Sequence, residues 1–400
     1  MALGKRIAAV AATGMLTLGA LTVAAATPAS AASPTTLPAG QFTLTADYHQ
    51  YDALNGALAS TLGTVPVHTV MDNANHDRGP ITDSLGLAGY AGGFTFDSGD
   101  DNDCTNYPQG ITTSRDAVGT ADSGNYDGHQ LVLVSWYTKD GCDGDQSRSR
   151  ITLVDWDATW PNKYRKILLV EPTGTTAAPS FRDIPIHAGG VSWYGDWLYV
   201  ADTGRGMRVF NMRNILRTNT GGTADQIGRQ PNGTYYAHNY AYVLPQVGTV
   251  TAHTTSGTSL VWSSISLDRV SRSMVMTEYT CSSGCTSYPN RAPRAVRFPF
   301  ASGATTFAAT TTASQALQLP WYKLNGVGSH NGRWWFNSSG DHRLYYWTPS
   351  AGSSSYGWVG GGESISYWEA PGSEPDLLWS LQETRGHRNV FAVEQATYSS

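Results

Sequence analysis

The chain has 400 residues, of which 14% are charged, 11% are aromatic and 43 are glycine. So few charges and so many rings exclude a coiled coil, which needs Glu/Lys/Leu-rich heptads, and a disordered chain, which lacks aromatics. A net charge of −5 with no long basic run argues against nucleic acid as a partner.

The first 32 residues read as a secretory signal. Lys5 and Arg6 supply the positive start, Ile7 to Ala26 the apolar stretch, and Ala29-Ser30-Ala31 a small-residue cleavage site. No other segment approaches the roughly 18 apolar residues of a membrane span. The expected mature protein is therefore exported, extracellular, free of the membrane and monomeric, with one domain over residues 33–400. Phe42 to Tyr48 alternates as a strand, and residues 49–100 are read as an elaboration with a short helix over Ala53 to Thr61. The acidic turn from Asp97 to Asp103 suggests a structural calcium ion near Asp97, Asp100, Asp101 and Asp103. It lacks the spacing of an EF-hand, so a solvated loop competes with that reading.

Beyond residue 100, short β-rich runs separated by Gly/Asp/Asn turns recur, and no long helical period appears. Val191 to Phe210 reads as strand, tight turn, strand, tight turn, strand. Trp197 to Gly204 resembles Arg333 to Gly340, and three further copies begin at Leu131, Ser273 and Leu378. Aligned, they place Trp136, Asp202, Glu278, Ser338 and Glu383 at equivalent positions. The predicted fold is all-β, a five-bladed β-propeller closed by an N-terminal strand, with Phe42 to Tyr48 as the candidate. Closure of that kind removes free sheet edges.

Four cysteines, Cys104, Cys142, Cys281 and Cys285, allow three disulfide connectivities. The local pairs Cys104–Cys142 and Cys281–Cys285 are favoured, because the spacing fits no zinc pattern. Most of the 13 tryptophans are assigned to packing between blades.

The run Leu198 to Gly204 resembles the strand motif of NHL-type propeller repeats. The whole chain is similar to uncharacterised secreted propellers of high-GC Gram-positive bacteria. More loosely, Tyr107-Pro-Gln-Gly-Ile111 and His187-Ala-Gly-Gly-Val191 resemble blade openings of plant-type glutaminyl cyclases. These resemblances imply a fold and say little about activity.

In a propeller, the start of each blade's first strand shares one face with the turn after the second strand. On this sequence that face collects Gln109, His187, Asp202, Arg205, Glu278, Asp341, His342, Glu383 and His387, with His330 on the opposite face. The leading expectation is a carbohydrate-active protein that eliminates across uronate polysaccharides. His187 would be its base, Tyr107 or Tyr137 its acid, and Arg205 the group that stabilises the enolate-like charge. Gln109, His342, Glu383 and His387 are then substrate-binding candidates, and no catalytic metal is expected. Asp202, Glu278 and Glu383 offer the carboxylates of a hydrolase instead, against a structural reading in which each pairs with a nearby arginine. A glycan-binding scaffold without catalysis and a glutaminyl-cyclase-like transferase complete the alternatives.

Overall fold

The computed structural model describes residues 29–139, 148–157 and 162–400; the expected signal up to residue 28 and Cys142 lie outside them. The protein is a β-propeller. Its central strands are apolar throughout rather than alternating. In Leu131–Thr138, for instance, Leu131, Val132, Leu133 and Val134 are all fully buried. A strand packed against a sheet on both faces needs that pattern. Tight turns join the strands, as at Tyr194-Gly195-Asp196-Trp197, where Gly195 takes a φ of 61°.

Five inner strands, Asn106–Thr113, Val191–Tyr194, Trp262–Asp268, Leu324–His330 and Gly362–Trp368, lie side by side in a ring among the described residues. The last packs against the first. Each opens a unit of antiparallel strands that runs outward. The outer strands of the first two units, Asn162–Thr175 and Tyr242–Thr254, pair in parallel and fuse those units into one sheet. The inner strands approach closely because they carry glycine at the contacts. A β-carbon on Gly110 would lie 2.7 Å from the Val191 nitrogen, and one on Gly190 would lie 2.3 Å from the Ile265 nitrogen.

The closing strand is not the expected one. The last unit, Gly362–Trp368, Leu377–Gln382 and Asn389–Glu394, is completed by Tyr90–Thr95, from within the segment read as an elaboration. Phe42–Asp47 instead pairs with Tyr242–Thr254 and Thr310–Thr312. The chain from residue 29 onward forms a strap along outer edges. Ala29–Ser30 pairs with Gly352–Gly357, Thr35–Thr36 with Gln315–Gln318, and Phe42–Asp47 with the second unit. An apolar alternating strand was needed there to cover an edge, which explains the misassignment. The expected helix is present as Asp52–Leu62, with Leu58 buried against Leu168 and Val170. Cys281 and Cys285 form the expected disulfide. Cys104 is also disulfide-bonded, while its expected partner lies outside the described residues. Among the described residues, no helix is long and apolar enough to cross a membrane.

Candidate functional site

At the end of the ring where the inner strands begin lies a cavity of about 320 Å³. Its walls follow a rule of the fold. Four inner strands carry a one-residue bulge near their start; three of the bulges place Gln109, Ser263 and Asn325 in the lining, and Glu363, paired with Leu381, joins them just before the fourth, at Ser364–Ile365. In the remaining unit His187 occupies the corresponding approach, just before Ala188, whose φ is 51°. Bulges re-aim side chains, which is how a buried inner strand can present a polar group to a cavity. The ends of the second strands add Tyr137, Lys139, Thr203, Tyr279, Ser339 and Glu383.

Two carboxyl groups face each other's charge here. Glu363 is 2% exposed, and the Asn325 amide donates to its Oε1. Burial, reinforced by the charge of Glu383, pushes the Glu363 carboxyl well above the usual range, which favours its protonated form. Burial also raises Glu383, but the Lys139 ammonium and a 2.7 Å hydrogen bond from Gln109 Nε2 pull it back. The pair therefore divides into a proton holder and a group that ionises more readily.

His187 and Tyr137 stand opposite, their rings 4.1 Å apart. Burial, with the nearby Lys139 charge, lowers the His187 imidazole to about 4, so it is neutral at physiological pH. Burial raises the Tyr137 phenol, helped by Glu383 and Glu363. Tyr107 lies behind Tyr137, 6.0 Å away between ring centres, and packs under Arg388 and Lys139. Tyr279 and Tyr288 form an aromatic pair 4.6 Å apart on the other wall. The glycines after His187 face the backbone of Ser263 to Ile265, so they serve packing rather than ligand approach.

Of the sequence candidates, the cavity brings together Gln109, Tyr137, His187 and Glu383, and leaves the others outside. Arg205 and Asp202 line a different, larger cavity beside Glu171 and Arg182. Asp202 accepts from Arg208 Nε at 3.1 Å. Glu278 is fully buried between Arg291 and Arg294, which make four contacts of 2.6 to 2.9 Å with its carboxylate. Burial opposes its ionisation, yet those two cations hold it below the usual range. The structural reading of these two acids is therefore the one the geometry favours. Glu383 differs, because Arg388 bonds its backbone carbonyl and leaves the carboxylate to the cavity. The reason is register. Gln382 pairs with Gly362 as Glu278 pairs with Trp262, so Glu383 sits one residue further on and points the other way. His342 is exposed with a φ of 51°, Asp341 accepts from Tyr345, and His387 is exposed beside Asp83 at 2.7 Å. His330 is stacked flat on Tyr367 away from the cavity.

Sequence reasoning missed Glu363, Asn325, Lys139, Tyr279 and Tyr288. A signal for the first two existed. Gln109-Gly110, Asn325-Gly326 and Glu363-Ser364 each place a polar residue before a small one at the start of an inner strand.

The acidic turn is built into the protein. Asp97 caps Ser98–Asp101 and meets His76 at 2.6 Å, Asp101 accepts from the Arg388 backbone, and Asp103 holds Thr105 and Asn106. Asp100 is buried against Arg150 and Lys166. Burial resists its ionisation, but these cations bring the carboxyl down to about 2. His76, Asp97 and Asp100 lie within 4.8 Å of one another and could hold a metal ion, as could His129, Asp155 and Asp157.

No protein-family model matches the sequence, and no curated protein is detectably similar to it. Solved structures resemble it in outline. The PQQ-bound aldose sugar dehydrogenase of Streptomyces coelicolor is 12% identical over 80% of this chain and 98% of its own, with a TM-score of 0.34. A GH43_1 enzyme of Xanthomonas citri is 10% identical over 85% and 92%, with a TM-score of 0.31. Virginiamycin B lyase of Staphylococcus aureus is 9% identical over 80% and 99%, with a TM-score of 0.29. At these identities and TM-scores the likeness carries no activity with it.

Proposed function

We propose that this is an exported, five-bladed, carbohydrate-active propeller that cleaves an extracellular polysaccharide by acid–base hydrolysis, with Glu363 and Glu383 as its working pair. The observation that carries the reading is the pair itself: two carboxyl groups in one cavity, both raised by burial, Glu363 further than Glu383, which Lys139 and Gln109 pull back. Glu363 would give its proton to the glycosidic oxygen as the bond to the anomeric carbon breaks. Glu383, oriented by Gln109, would act as a carboxylate on the opposite side, as nucleophile or as base towards water. Asn325 and Lys139 would position the substrate, and the tyrosines would offer flat surfaces to pyranose rings.

Elimination across a uronate is the second reading, and the His187–Tyr137 contact favours it. A neutral imidazole can take a proton, and a protonated phenol can give one. Lys139 would then replace Arg205 as the positive group. Hydrolysis is preferred because Arg205 lies in another cavity while the two carboxyl groups share this one. A structural calcium ion at Asp97, Asp100, Asp101 and Asp103 has less support, since each carboxylate already has protein partners.

The test is a panel of neutral and uronate polysaccharides, with reducing ends and the absorbance of unsaturated uronates followed together. Reducing ends without absorbance, abolished by Glu363→Gln, would support hydrolysis. Rising absorbance that depends on His187 would replace it with elimination. Binding with neither product would leave a glycan-binding propeller.

A further inference from the structure

The cavity lined by Asp202 and Arg205 is larger than the central one, about 660 Å³, and the chemistry proposed above does not use it. The two lie back to back across two short stretches of chain. In the first, Pro185 lines the larger cavity and His187 the central one. In the second, Asp202 and Arg205 line the larger cavity and Thr203 the central one. This second ridge includes Gly204, its one position without a side chain. Gly204 is exposed, its φ is not left-handed, and a β-carbon there would meet nothing within 4 Å. Neither backbone conformation nor packing requires the glycine, whereas a ligand passing closely over the ridge gives it a reason.

The walls of the larger cavity are polar groups that hold one another. Arg208 donates to Glu171 at 3.1 Å, to Asp202 at 3.1 Å and to the Gln246 amide oxygen at 2.7 Å, and Arg182 donates to Glu171. Tyr51 lies beside Glu171. Groups fixed in this way before a ligand arrives lose little freedom on binding it. Among the described residues, the lining carries Glu171, Asp183 and Asp202 against Arg182, Arg205 and Arg208, so its charges balance. The central cavity sets two carboxyl groups against one ammonium, Lys139. Neither offers the cationic excess that complements a chain of uronates or sulfated sugars. Both offer donors and acceptors together, which is what sugar hydroxyls need.

Given the carbohydrate cleavage proposed for the central cavity, on which this rests, we infer that the larger cavity extends it and binds further units of an uncharged polysaccharide. The sugar chain crosses from one cavity to the other over Gly204. Arg205, exposed next to that crossing, donates to hydroxyls of the first unit beyond it. Short oligomers then fill the central cavity alone, and longer ones engage both.

Calorimetry on the whole protein carrying Glu363→Gln, which keeps the ligands intact, tests this with cello-, xylo- and manno-oligosaccharides and oligogalacturonates of two to six units. One uncharged series should gain about tenfold or more in affinity with length. Adding Gly204→Leu, which blocks the crossing, or Arg205→Ala should remove that gain while the shortest oligomer binds as before and the melting temperature is unchanged. A length gain that survives both substitutions overturns the extension, as does affinity independent of length or no binding by any oligomer. A larger gain for the galacturonates overturns the uncharged class. Product release by the wild-type protein separates the two proposals. Cleavage without a length gain removes the extension and keeps the cleavage site; a length gain that both substitutions abolish, without cleavage of any oligomer, keeps the extension as part of a binding cleft and removes the cleavage.

Discussion

Gln109 Nε2 donates to Glu383 Oε2 at 2.7 Å, joining the bulge of the first inner strand to the end of the second strand in the last unit. The bond spans the seam where the ring closes. Gln109 also donates to the Pro108 carbonyl, so its amide is oriented from its own strand. The carboxylate of Glu383 is therefore held towards the cavity by a group whose position depends on ring closure.

Replacing Glu363 or Glu383 by Gln should separate catalysis from folding. Removing a group that transfers a proton in the rate-limiting step costs about 10²–10⁴-fold in rate. Glu363→Gln should leave thermal stability unchanged or raised at neutral pH, since an amide in that buried position carries no charge to desolvate. Polysaccharide turnover and a melting curve on the same preparation check both statements. Wild-type turnover in Glu363→Gln would remove that residue from the chemistry.

Glu278 should behave in the opposite way. Its carboxylate neutralises Arg291 and Arg294 and accepts from the backbone of Val261 and Arg294. Glu278→Gln leaves two guanidinium groups without their counter-charge, a loss of about 3–5 kcal/mol for a broken buried pair. Asp202→Asn should cost much less, about 1 kcal/mol, because Asp202 and Arg208 keep contact with solvent and Arg208 retains Glu171 and Gln246. Urea denaturation of the two variants gives the comparison.

The fold was legible where strands were buried on both faces and joined by tight turns, as in Val191 to Phe210. The closing strand was not. Tyr90-Ala-Gly-Gly-Phe-Thr95 reads as a loop because its glycines lower strand propensity. They are present because a β-carbon on Gly93 would lie 2.4 Å from the Val390 carbonyl. The site was half legible. Strand ends located the face and found Gln109, His187 and Glu383. A one-residue register error grouped Glu383 with Asp202 and Glu278, whose side chains point away from the cavity. Glu363 escaped because the strand Gly362–Trp368, interrupted by a bulge at Ser364–Ile365, shows no alternation from which its direction could be read.

Asp116 predicts a pH dependence of stability. It is buried in Ser114–Val118 and accepts from Thr112 Oγ1 at 2.7 Å and Ser366 Oγ at 2.6 Å, so it ties the first inner strand to the last. Burial pushes its carboxyl up to about 6, against the lowering effect of the two hydroxyls. The folded state therefore prefers the proton. That contribution is fully present below the unfolded value near 4 and is lost as pH rises through about 6. A shift of about two pH units corresponds to roughly 3 kcal/mol. Asp116→Asn removes the dependence, so the stability difference between variant and wild type should move in the variant's favour from pH 4 to 7. A difference that stays constant over that range would show that Asp116 does not titrate as described.

The loop over the cavity gives the last prediction. Cys281 and Cys285 close a short ring, and Asn290 clasps it by exchanging hydrogen bonds with the Cys285 backbone. Tyr288 lies between these anchors, 38% exposed, with its ring on Tyr279. An aromatic ring so placed can stack on a sugar without taking part in bond breaking. The paired variant Cys281→Ser/Cys285→Ser, and separately Tyr288→Ala, should raise KM several-fold while kcat changes little. Loss of the stacked ring removes binding common to ground and transition states. An equal fall in kcat and kcat/KM would instead place Tyr288 in contact with the reacting centre, and unchanged kinetics in both variants would show that the loop does not touch substrate.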